Sequence, residues 1–213
     1  MVYNVKNTLQ GAGDMKKYIE AVLHQDVDIH PFTDTKKMPL VYRNRYMLSN
    51  GVVPLSEQNI IDHYTENDQG MVIGYRLYNQ VGLTTQISKN VEILSNALQE
   101  KRKTVGNVKV NRLDLKFDAP TCKAIATLEI LQNYRQIEDI NRQQLAKYMR
   151  KYALDYSEDA VMAVLRIRKY KKATIAFLAA FLDFWHTEHN LQQYLSQSSN
   201  YAILRMEEFY PYA

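Results

Sequence analysis

His186 and His189 stand three residues apart in a His-Thr-Glu-His segment after Trp185. On a helix that spacing brings two imidazoles near one face, where they can share a zinc ion. The five-residue spacing of the zincins is absent, and His24, His30 and His63 are too scattered to supply a named third ligand. The pair therefore reads as a solvated helix end. Asp114 and Glu92 offer a second chemistry: on neighbouring strands, two carboxylates can seat a metal as in nucleases. No third acidic ligand is spaced to join them, and strand alternation equally turns both to solvent. The single cysteine, Cys122, has no histidine in a useful context. A glycine-rich phosphate loop and a Gly-x-Ser-x-Gly elbow are both missing. The expectation is a non-enzymatic protein with no metal and no cofactor.

Binding chemistry is better represented. Arg166, Arg168, Lys169, Lys171 and Lys172 surround Tyr170 and form the densest basic patch. Such cations suit phosphates and a tyrosine ring can stack on a base. They equally suit the C-terminus of a helix, where positive charge offsets the dipole. Lys101-Arg102-Lys103 ranks with this patch. Tyr42, Arg43, Arg45 and Tyr46 lie on a predicted strand, Leu40 to Leu48, closed by a Ser49-Asn50-Gly51 turn, an arrangement like the wing of a winged helix. Both segments are candidate DNA contacts. The net charge of +4 leans mildly towards anionic partners, and the 16 tyrosines suit an interaction surface.

The elements that position these residues follow from periodicity. A chain of 213 residues, 46% hydrophobic and 23% charged, is long and apolar enough for a soluble globular core. Asp14 caps a predicted helix carrying Met15, Tyr18, Ile19, Val22 and Leu23. A short strand at Val27 to Ile29 and a loop from Phe32 to Pro39 follow. Ser56 caps a short helix with Ile60, Ile61 and Tyr64 inward; Asn59 stands where a capping box carries Glu or Gln, so no box is expected. Met71, Tyr75, Tyr78 and Val81, with Val72 and Leu77, predict a helix over 70–81. Gly82 is its left-handed stop, and Leu83 should fold back on Tyr78 or Leu77. Thr84-Thr85-Gln86 is a polar corner whose side chains satisfy backbone groups or meet a partner. Val91 to Ser95 is a strand.

A hairpin is predicted around Gly106-Asn107, and Leu113, Leu115 and Phe117 alternate as the strongest strand signal. From Pro120 the pattern turns helical. Ala124, Ile125, Leu128 and Leu131 share a face; Asn141 caps a helix with Leu145, Tyr148, Met149 and Tyr152; Ser157 caps another with Glu158 and Asp159 in its first turn. Ala173 to Trp185 is apolar nearly all round, a buried central helix too short to span a bilayer. Tyr201 to Tyr212 is an aromatic tail expected at a sheet edge. The fold class is α+β, a small mixed part with a β-hairpin over 1–118 and a helical part over 119–213. One cysteine and no basic-then-apolar leader predict a soluble cytoplasmic protein with no membrane partner.

Gly74, Asn79, Gly82, Leu83, Thr84, Thr85 and Gln86, with the strand ending at Asn96, carry a family resemblance. A glycine-bounded helix, an Asn-x-x-Gly-Leu-Thr-Thr-Gln corner and a following strand resemble the AbiEi-type antitoxins of bacterial abortive infection, from about Tyr46 to the late helices. Its specific part is Gly82 to Gln86. The resemblance implies an antitoxin of a two-gene phage-defence system that neutralises a nucleotidyltransferase-like toxin and often represses its own promoter, with an N-terminal winged helix on the DNA. Only the end of that winged helix is visible upstream, where one clear helix stands in place of two or three. An interaction module without DNA binding, and a metal-dependent nuclease using Asp114 and Glu92, are the alternatives.

Overall fold

The computed structural model describes residues 56–196, the positions 200, 201, 203, 205, 206, 209 and 210, and the backbone of two dipeptides, β1 (His30–Pro31) and β2 (Tyr46–Met47). These two pair antiparallel. The helix expected after Asp14, the strand at Val27 to Ile29 and most of the Leu40 to Leu48 segment lie outside the described residues.

The sheet runs in the order β3-β4-β6-β5, with β3 at Gly70–Ile73, β4 at Val91–Ser95, β5 at Arg102–Val105 and β6 at Val108–Arg112. β4 and β6 are parallel and the outer pairs antiparallel. Alternation sorts their side chains. Val91, Ile93, Val108 and Val110 are buried on the face covered by α1 (Glu57–Thr65), whose Ile60, Ile61 and Tyr64 point inward. Ile73 and Leu94 belong to the core of the helical layer on the other face. The result is α+β in three layers: helix, mixed sheet, helices.

Local chemistry explains where the elements begin and end, and where the expectations fail. Ser56 does close a capping box: its side chain accepts from Asn59 N, and Asn59 Oδ1 accepts from Ser56 N at 3.3 Å, since an amide oxygen serves as well as a carboxylate. The helix predicted over 70–81 is two elements. Gly70–Ile73 is strand because β4 offers a partner, pairing Met71 with Leu94 and Ile73 with Glu92. Gly74, at φ 71° and ψ −151°, takes a conformation open to glycine alone, and α2 (Tyr75–Gln80) starts only after it. The strand signal at Leu113 to Phe117 also fails. β4 ends at Ser95, so past Arg112 the chain has no ladder partner. It bends at Leu115, whose N–H donates back to Leu113 O at 2.8 Å, and is tied down by single bonds, Leu113 N to Ser95 O at 2.9 Å and Phe117 N to Asp68 O at 3.1 Å, while Leu113 and Phe117 remain buried.

The helical layer follows the capping signals. Asp118 accepts from Thr121 N at the head of α3 (Ala119–Asn133), Asn141 from Gln144 N at α4 (Arg142–Leu154), and Ser157 from Ala160 N at α5 (Glu158–Ile167). Every residue of α3 from Ala124 to Leu131 is buried, so this helix shows no single inward face but a fully enclosed middle. α6 (Lys172–Phe184) has no side-chain cap, and Lys171 and Lys172 oppose its dipole. Those two charges cost about 0.3–1 kcal/mol each. Burial of Ile175, Phe177, Leu178, Phe181 and Leu182 contributes about 1.5–3 kcal/mol apiece, so packing decides. In the tail, expected at a sheet edge, two described residues pack on this helix: Phe209 meets Phe181 with ring centroids 5.3 Å apart, and Tyr210 stacks on Phe184 at 5.0 Å. The core is continuous across Asp118, joining Ile73, Leu77 and Leu83 to the helices. Among the described residues no helix is long and apolar enough to cross a membrane.

Two glycines should respond differently to alanine. At Gly82, φ is 74° and an added Cβ would meet only Gln144 at ordinary contact, so Gly82→Ala should cost the left-handed penalty alone, about 1 kcal/mol. A Cβ at Gly70 would overlap the carbonyl oxygens of Tyr64 and Leu94, backbone that cannot swing aside, and should cost about 3 kcal/mol. Urea unfolding of both variants checks the order.

Candidate functional site

The Gly82 corner ends α2 in a Schellman motif. Gly82 N donates to Asn79 O at 2.9 Å and Leu83 N to Tyr78 O at 2.8 Å, while Leu83 is fully buried in the cluster that holds Leu77 and Tyr78. The next residues tie this end of the sheet layer to the loop between α3 and α4. Thr84 Oγ1 donates to Glu138 O at 2.8 Å and accepts from Gln86 N at 3.1 Å; Asn79 Nδ2 donates to Thr84 O at 3.1 Å. Asn141 N donates to Leu83 O at 2.8 Å, and Gln144 Nε2 to Val81 O at 3.1 Å. Asn79, Gly82, Leu83 and Thr84 are thus a joint between layers. Thr85 and Gln86 are exposed, Gln86 Nε2 reaching Asp139 Oδ2 at 3.4 Å, and Ile87 beside them is 71% exposed.

Beside the joint lies a polar cleft of about 220 Å³ between β4, the start of α2 and the end of α3, with Glu92, Glu129, Tyr75, Tyr78 and Asn133 on its walls. Glu129 is 4% exposed. Its Oε1 accepts from Arg168 Nε at 3.0 Å and from the Tyr170 hydroxyl at 2.9 Å, and pairs with Arg168 Nη2 at 2.8 Å. A buried carboxylate persists only with such partners. Burial first, then the Glu129 carboxylate, push the Tyr170 hydroxyl far above its usual range, so it remains a donor. This triad takes up two of the six residues of the basic patch. Arg168 and Tyr170 are half-buried and turned to Glu129; Arg166, Lys169, Lys171 and Lys172 are exposed. Glu129 escaped the sequence reading, although a lone charge inside the apolar run Ala124 to Leu131 signals a buried partner.

The other candidates separate. α6 ends at Phe184, so His186 and His189 are not on a helix. His186 has φ 53° and is exposed, whereas the buried His189 ring accepts at Nδ1 from Leu191 N at 3.2 Å. That bond leaves Nε2 to carry the proton towards Asp183 Oδ1 at 3.1 Å. Glu92 is opposite Lys109, five residues before Asp114, roughly 16 Å of extended chain. Asp114 is held by Arg112 Nε at 2.7 Å, and the two carboxylates do not converge. Among the described residues no group of three or more His, Cys, Asp or Glu side chains could hold a metal ion. Tyr42, Arg43 and Arg45 lie outside the described residues, and Tyr46 is described only as backbone in β2. The chain matches no protein-family model, no curated protein and no solved structure.

The two threonines of the corner should prove unequal. Thr84→Val keeps the shape but strands Glu138 O and Gln86 N, and should cost about 1–3 kcal/mol, against less than about 0.5 for Thr85→Val, by thermal or urea unfolding. Cys122 should be unreactive. Burial, then Asp118 and Asp68, push its thiol up to about 11. Alkylation by iodoacetamide at pH 8 should run about a hundredfold slower than for free cysteine and accelerate as pH rises towards 11.

Proposed function

We propose that this protein is a non-enzymatic, antitoxin-like regulator of a bacterial toxin–antitoxin or phage-defence system, and that it grips a nucleotidyltransferase-like toxin through the surface around the Gly82 to Gln86 corner. One observation carries this reading: in the segment that resembles the AbiEi-type antitoxins, Asn79, Gly82, Leu83 and Thr84 hold the backbone, and Thr85, Gln86 and Ile87 stand exposed on it. A large apolar side chain on an already ordered base loses little freedom when covered, which is how a partner obtains a strong anchor. Contact with the promoter belongs to Tyr42, Arg43, Arg45 and Tyr46, helped by the exposed Arg166, Lys169, Lys171 and Lys172. A second reading, an interaction module that does not bind DNA, is favoured by the Arg168 and Tyr170 contacts to Glu129, which take the aromatic member out of the basic patch.

The test is co-expression with the product of the neighbouring gene, followed by co-purification and titration. Ile87→Asp should weaken the complex by about 10–100-fold, the loss of a hot-spot residue, and leave the unfolding midpoint unchanged. Wild-type affinity in that variant would remove the corner as the binding surface. Upstream DNA separates the two readings: a regulator loses affinity steeply as salt rises, and no binding at low salt leaves the interaction module alone.

A further inference from the structure

Six positions of the α4 segment, Gln144, Lys147, Tyr148, Lys151, Tyr152 and Asp155, recur at helical spacing and form one stripe. Together with Lys123 of α3 and Gln80 and Val81 at the end of α2, they line a groove of about 460 Å³. Three ammonium groups meet there against one carboxylate. Lys123 Nζ lies 2.9 Å from Asp155 Oδ2, whereas Lys147 and Lys151 have no ion-pair partner among the described residues. Two positive charges are left over, the complement of a phosphate monoester, which carries about −1.5 to −2 at neutral pH. A carboxylate ligand would leave one of them unanswered.

A second feature is independent of the lysines. Tyr152 lines the groove at 5% exposure, and its buried hydroxyl has no hydrogen-bond partner among the described residues. Buried hydroxyls are normally paired, so an unpaired one calls for an explanation, and an acceptor brought by a ligand is one. Tyr148, in contrast, is within 3.2 Å of Thr127 Oγ1. The groove is larger than a phosphate needs, and Val81 with the two tyrosines gives it an apolar side. We propose that it binds a nucleotide, with the phosphate on Lys147, Lys151 and Lys123, the Tyr152 hydroxyl donating to it, and the base against the tyrosines. Burial, then Tyr148 and Glu158, keep that hydroxyl protonated far above its usual range, as a donor to an anion must be.

Titration calorimetry and thermal shift on the full chain, with inorganic phosphate, tripolyphosphate, ATP, GTP and a ten-nucleotide single strand, test the assignment. A nucleoside triphosphate should saturate, raise the unfolding midpoint and bind at least about tenfold tighter than tripolyphosphate, the share of the base. Lys147→Ala with Lys151→Ala, both exposed, should fold normally and bind about tenfold or more weakly. Tyr152→Phe removes a donor that lacks a partner, so its unliganded midpoint should be unchanged or higher while affinity falls about three- to tenfold. Equal affinity for tripolyphosphate and triphosphate overturns the nucleotide assignment, as does saturation by the oligonucleotide alone. No saturation by any probe, or wild-type affinity in either variant, overturns the site.

Discussion

Leu83 is the joint on which the described structure depends. Its N–H closes α2 through Tyr78, its carbonyl accepts from Asn141 at the head of α4, and its side chain is wholly buried between them. One residue can serve three partners only if the residue before it turns the chain sharply, and Gly82 at φ 74° does that. Thr84 then repeats the tie on the other side, to the loop before α4. Sheet and helical layers are therefore fastened by backbone hydrogen bonds at one corner, and the apolar contacts of Ile73, Leu77 and Leu94 with the helices extend that junction.

A second constraint, the charge of Glu129, sets what the surface can offer. A carboxylate in the enclosed middle of α3 needs cationic and hydroxyl partners, and the turn after α5 supplies Arg168 and Tyr170. The turn between α5 and α6 is thereby anchored to α3, and Lys171 N adds a bond to Gln132 Oε1 at 3.1 Å. The cations around it are left on an ordered base, facing solvent. A patch that looks uniform along the chain is thus two populations, one spent on the interior and one free to meet a partner.

The lysine groove and the exposed corner share the end of α2. Gln144 from the groove's stripe holds Val81 O, one residue before Gly82, and the corner continues to Ile87. Whatever fills the groove would bear on the Val81 carbonyl just past the end of α2, in the same backbone that leads on to Thr85 and Gln86.

Local rules were legible in the residues themselves. Asn141 and Ser157 cap the helices that their side chains announce, Gly106-Asn107 turns the hairpin, and Gly82 takes the left-handed conformation. Such signals act within four residues, so no distant partner can revise them. The α+β class and the buried helix from Ala173 follow from periodicity for the same reason. What the sequence could not assign was the partner of an ambiguous segment. Gly70 to Ile73 fits either a helix or a strand until β4 lies alongside, and Leu113 to Phe117 alternates yet forms no ladder because β4 stops at Ser95. Phe209 and Tyr210 of the tail pack on α6, and Glu129 drew in Arg168 and Tyr170 from about forty residues away in the chain. Strand pairing and charge burial are energies between segments distant in sequence, so only the tertiary structure decides them.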